Sequence, residues 1–157
     1  MSDPQRLPQA EITALELGYM RLSDAAPLIM AKDAGLFARY GLDVSLHREV
    51  SWANLRDKLV VGKLDAAQLL APLPMMTNLG AGGIRGSLMT GLALGLNGNA
   101  ITVSNRVWES LELDYPDGAP DPLQVVQQLR RKLQQTGETI TLATVHAFSM
   151  HTILLRR

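Results

Sequence analysis

From residue 13 onward, short apolar runs alternate with longer stretches whose apolar positions recur at helical spacing. Residues 13–19 (TALELGY) predict a strand, with Gly18 near its end. Ser23 or Asp24 is placed to cap a helix over 25–40, with Pro27 tolerated in its first turn. Leu28, Ile29, Leu36 and Phe37 form the apolar side of that helix, and Gly41 ends it. Residues 42–46 alternate as a second strand. Ser51 then caps a helix over 52–61, stopped by Gly62. A short third strand over 65–69 and a third helix over 72–80 follow.

This rhythm of strand and helix predicts parallel pairing and an α/β fold. Crossovers of one hand place every strand-to-helix loop on one edge of the sheet. Open α/β sheets bind ligands at that carboxyl edge, so residues 20–26, 47–52 and 68–74 are where chemistry should sit. Past the glycine-rich 80–86, residues 87–96 and 100–104 predict strands. The Asn97-Gly98-Asn99 between them suits either a hairpin turn or a change of chain direction between lobes. Residues 114–122 (DYPDGAPDP) read as an acidic, proline-rich linker. Leu123, Val126, Leu129 and Leu133 predict a helix over 122–136, with Arg130, Arg131 and Lys132 toward the end where cations suit the helix dipole. A last strand is expected over 139–145, and Ser149 opens an apolar helix that runs into Arg157.

Composition narrows the function. With 46% hydrophobic and 19% charged residues in 157, the chain can bury a core. Fifteen basic and fifteen acidic side chains cancel, so no global field attracts nucleic acid or an anionic membrane. The absence of cysteine removes disulfides, a thiolate nucleophile and thiolate metal sites. His146 and His151 are five apart, not the four that sets two imidazoles on one helical face, so no metal site is expected. The opening MSDPQRLPQAE lacks a basic segment followed by an apolar one, and the run over 88–96 is far short of the ~20 apolar residues of a membrane span. The expectation is a cytoplasmic chain with no membrane span, no cofactor and no direct contact with nucleic acid.

Four features invite a sharper reading. Residues 80–86 (GAGGIRG) resemble a phosphate loop, but arginine stands where the dinucleotide fingerprint needs its third glycine, and a helix precedes; a turn is the simpler account. Asp24, His47 and Ser51 hold the atoms of a hydrolase triad, yet Ser51 lies in no nucleophile elbow and reads first as a helix cap. Trp52 opens a helix on the expected ligand edge, as a stacking surface or as packing. Gln68 ends an apolar strand, and its amide needs partners, whether ligand or backbone.

The stretches LGYMRLSDAAPLIMAKDAGLFARYGLDVSL, SWANLRDKLVVGKLDAAQLLAPLPM and NGNAITVSN, in this order, resemble the nitrate- and bicarbonate-binding branch of the type II solute-binding proteins. The likeness runs from about Leu17 to the C-terminus, and lies nearest the cytoplasmic nitrate sensors of that branch. It implies a periplasmic-binding-protein-like type II fold with two lobes: a tail over 1–12, a first lobe over 13–104, and the start of a second over 105–157. By motif it assigns ligand-binding roles to Trp52 in SWANLRD, Gln68 in DAAQ and His151 in FSMH; His146 matches no ligand position. A planar anion needs a flat wall and N–H donors, which an indole, an amide and an imidazole supply, with helix N-termini adding backbone donors.

The resemblance implies binding rather than catalysis. Its small oxyanion is nitrate or nitrite, and its partner an RNA-binding antiterminator released when the anion binds. Three other readings stay open: a substrate-binding component working with an ABC permease, an enzyme, since related folds serve thiamine-precursor synthesis, or a remnant without function. Family members are well over twice as long, so the chain is expected to be an N-terminal fragment that lacks later residues of the anion site, a basic one included.

Overall fold

The computed structural model describes residues 10–96, 98–113 and 120–156. Most of the expected 1–12 tail, Asn97 of the expected turn and most of the 114–122 linker lie outside the described residues. The chain divides into two compact units, one within Met1–Asn99 together with Val145–Arg157, the other within Ala100–Thr144.

The first unit is built on a parallel sheet of β1 (Ala14–Met20), β2 (Asp43–Glu49) and β3 (Ala66–Ala67), in the order β2-β1-β3. The α/β class with a parallel sheet is thus as the sequence predicts. Ala14 of β1 stands opposite Asp43 and Met20 opposite Glu49, while Gly18 faces Ala67 on the other side. The central strand carries glycine there because a helix presses on it: a Cβ on Gly18 would lie 2.5 Å from Leu55 Cδ2 and 2.6 Å from Leu64 Cδ1. Glu16 and His47 form an ion pair across β1 and β2.

The helix expected over 25–40 is broken. A 3-10 turn, Ser23–Ala25, leads into α1 (Ala26–Asp33), and α2 (Leu36–Arg39) follows separately. Gly35 stands between them in the left-handed region (φ 67°), which ends α1. Neither Ser23 nor Asp24 caps a helix, because the 3-10 turn puts Leu22 and Ala25 at the cap positions. Gly41, with φ 72°, closes α2 as expected. Lys32 donates to the Val44 carbonyl at 2.5 Å and ties α1 to β2.

Helix α3 (Trp52–Val60) starts where predicted, with Ser51 Oγ accepting from Asn54 N–H at 3.0 Å. After β3, α4 (Pro72–Asn78) runs into the turn over 79–83. Trp52, Leu55, Leu64 and Leu73 form the buried core, with Met20, Leu59 and Phe148 packed against it. Fully burying a leucine of this kind contributes roughly 1.5–3 kcal/mol.

Residues 87–96 form no strand. The backbone of Leu88 is engaged by a side chain instead: its N–H donates to Asn78 Oδ1 at 2.7 Å, and its carbonyl accepts from Asn78 Nδ2 at 2.8 Å. Met89, Leu92 and Leu96 stay 93%, 76% and 83% exposed. Near the end of the chain, Ser149 caps α7 (Met150–Leu155) as predicted, accepting from Thr152 N–H at 3.3 Å.

The second unit holds α5 (Asn105–Glu109) and α6 (Pro122–Thr136), the latter with the predicted bounds. Asp121 caps α6 through Leu123 N–H at 3.1 Å, and Gly137 ends it at φ 67°. Lys132 Nζ donates to the Ser110 carbonyl at 2.8 Å and joins the two helices. The strands expected over 100–104 and 139–145 are absent, since no neighbouring backbone offers either a ladder among the described residues.

Candidate functional site

Parallel strands end on one edge, so Met20, Glu49 and Ala67 deliver the chain to the same side of the sheet. Trp52 follows β2 and Gln68 follows β3, which brings both to the carboxyl edge of one unit.

Gln68 is 4% exposed and held from both ends. Its backbone N–H donates to the Gly18 carbonyl at 2.9 Å, and its side-chain Oε1 accepts from Met20 N–H at 3.0 Å. Those two bonds fix the amide's orientation. The other end, Nε2, is buried and has no hydrogen-bond partner among the described residues. An unmade buried donor costs about 1–3 kcal/mol. What the arrangement offers is an amide NH₂, pre-oriented at the edge of the sheet, for an acceptor oxygen.

Trp52 is 6% exposed and belongs to the core cluster with Leu55, Leu64 and Leu73. One helical turn on, Arg56 is buried on the same side of α3, with Nε donating to Asp57 Oδ1 at 2.7 Å. Its Nη1 reaches Gly82, where an added Cβ would lie 3.3 Å from it and 3.0 Å from the Phe148 ring. Gly82 has φ 88°, so the turn closes over Arg56 in a conformation that suits glycine. Glu49 is buried and paired with Lys58 Nζ at 2.5 Å.

His151 lies in the first turn of α7, half-buried. The same terminal segment brings Phe148 against the cluster that contains Trp52. His146 shapes the turn before α7: its Nδ1 accepts from Phe148 N–H at 3.1 Å and its carbonyl accepts from Thr152 Oγ1 at 2.9 Å. Trp52 and Gln68 thus share an edge, and His151 belongs to the same unit.

The hydrolase constellation dissolves. His47 pairs with Glu16 in mid-sheet and Ser51 spends its oxygen on Asn54, so neither addresses the other. Residues 80–86 follow helix α4 and form a turn with positive φ at Gly80, Gly82 and Gly83. Among the described residues no cluster of three metal-ligating side chains occurs, and no helix is long and apolar enough to cross a membrane. Sequence reasoning passed over Arg56, Arg21 and Arg48, although two of its three marked segments adjoin or contain the last two. The signal was a basic residue at each of two neighbouring strand ends.

A family model described as NMT1-like matches residues 8–157. The nitrate import ATP-binding protein NrtC of Synechocystis sp. is 37% identical over 145 residues, 90% of this chain and 20% of its own. The bicarbonate-binding protein CmpA of Synechococcus elongatus is 36% identical over 103 residues, 62% of this chain and 23% of its own. Among solved structures, the periplasmic nitrate-binding protein NrtA from Synechocystis is similar, with 43% identity and a TM-score of 0.43 over 45% of this chain and 20% of that one. The chain spans about one fifth of the length of these relatives.

Proposed function

The chain belongs to the NMT1-like family, and from that footing we propose that it is the anion-binding portion of a nitrate or nitrite sensor. The observation that carries the reading is Gln68, whose buried Nε2 has no acceptor among the described residues while Oε1 is locked onto Met20. A nitrate oxygen is such an acceptor. In this proposal His151 supplies an imidazole N–H, Trp52 backs the site from the core cluster, and the anion is gripped when the unit meets the rest of a two-lobed protein. The sensor works in the cytoplasm and, on binding the anion, releases an RNA-binding antiterminator. Binding, not catalysis, is its task.

A second reading has an observation of its own. Two kinds of relative match, binding proteins and ATP-binding proteins of nitrate or bicarbonate transport, the latter over 90% of this chain. That supports a module serving an ABC importer beside its permease. Gene neighbours separate the two: permease and ATPase genes favour import, an antiterminator gene favours sensing.

Calorimetric titration of the chain with nitrate, nitrite and bicarbonate, with chloride as control, tests the anion site. Saturable heat from one oxyanion that Gln68→Ala weakens supports it. No heat from any of the three removes it for this chain.

A further inference from the structure

A concavity lies on the sheet face opposite the core that holds Trp52. The Cβ direction of Gly18 points at Leu55 and Leu64, so its neighbour Tyr19 points to the other face. Arg48 is the register partner of Tyr19 on β2 and shares that face. Together with Arg21, Leu22, Ser23 and Ile29 they line a cleft of about 510 Å³ at the carboxyl edge.

Its chemistry is one-sided. The polar side chains lining it are two guanidiniums, a phenol and a hydroxyl, with no carboxylate among them. The ion pairs of the described residues are Glu16–His47, Asp57–Arg56 and Glu49–Lys58, and neither Arg21 nor Arg48 takes part. In a chain of zero net charge, two guanidiniums without an ion-pair partner among the described residues line one cleft. Each guanidinium can grip a carboxylate or phosphate with two parallel N–H donors. The cleft is also roomy for a four-atom anion.

We propose that this cleft is a second binding site, for an organic or phosphate dianion whose charge is shared between Arg21 and Arg48. Tyr19 and Ser23 complete the donor set, and Ile29 and Leu22 supply the apolar wall for a carbon skeleton. The site lies across the sheet from the core that holds Trp52 and does not depend on the Gln68 reading.

The test is calorimetric titration of the full chain with succinate and with inorganic phosphate in about 0.15 M NaCl, where exposed charges more than ~8 Å apart are largely screened. At least one probe should saturate. The double variant R21Q/R48Q should weaken it at least tenfold, while the control Arg39→Gln leaves it unchanged. Both arginines are exposed, so the variant should keep the wild-type melt, which circular dichroism verifies. Succinate alone binding identifies a dicarboxylate site, and phosphate alone a phosphate site. Saturation by neither probe, equal affinity in R21Q/R48Q, or an equal loss in Arg39→Gln would overturn the proposal.

Discussion

The side chain of Gln68 reaches back to the central strand and accepts a hydrogen bond from Met20 N–H at 3.0 Å, while its own Nε2 meets no acceptor among the described residues. One end of the amide is structural and the other is free to act. The two roles predict two separable losses. Replacing Gln68 with alanine leaves Met20 N–H without its partner and should lower stability by about 1–3 kcal/mol, read in urea unfolding. The same change should weaken oxyanion binding by about 1.5–3 kcal/mol, the range for hydrogen bonds to charged groups. Lower stability with unaltered affinity would make Gln68 purely structural.

Gly18 carries the second prediction. Alanine there would press its Cβ to within 2.6 Å of Leu55 and Leu64, both buried. Overpacking of a core costs about 1–3 kcal/mol, so Gly18→Ala should shift the urea midpoint down accordingly. Gly91 has open space around it and no positive φ, so Gly91→Ala is the matched control. It should be neutral or stabilise by about 0.4–1 kcal/mol. Equal effects at the two positions would mean that the α3–β1 contact is looser than these distances require.

A third prediction concerns the start of α3. Ser51 Oγ satisfies Asn54 N–H, and Trp52 is the next residue. Ser51→Ala should cost about 1 kcal/mol, and Ser51→Gly only a few tenths. Because Trp52 is buried at that helix start, fraying should also red-shift its emission. An Ala variant as stable as wild type would show that tertiary packing alone fixes this helix end.

What the sequence made legible was local. The caps at Ser51 and Ser149, the closing glycines Gly41 and Gly62, and the apolar period of α6 each depend on a few neighbours along the chain. The parallel sheet followed from the alternation of strand and helix. What failed was pairing. Residues 87–96, 100–104 and 139–145 have strand-like composition, but a strand needs a partner, and propensity cannot supply one. Gly35 was missed because glycine inside a helical pattern is tolerated often enough to be read through. Of the candidate site, the carboxyl edge was readable, and so was the need of the Gln68 amide for a partner, which Met20 N–H meets. The burial of Trp52 and the cleft of Arg21 and Arg48 depend on which face of the sheet each helix covers, and strand alternation alone does not reveal that.

The last prediction concerns association. Met89, Leu92 and Leu96 stand exposed in a segment that forms no strand, in a unit whose edge strand β3 has only two residues. An apolar, strand-prone segment left unpaired is a template for pairing between chains. The 157-residue chain should therefore scatter light increasingly with concentration. Met89→Lys combined with Leu92→Lys should suppress that scattering, because charge on an exposed strand-prone run opposes edge-to-edge pairing. Since neither side chain packs in the core, stability should move by no more than about 0.5 kcal/mol. A wild-type chain that stays monomeric at high concentration, or a double variant that aggregates as readily, would place the liability elsewhere. If the variant becomes soluble but its melt loses cooperativity, this segment contributes to the fold.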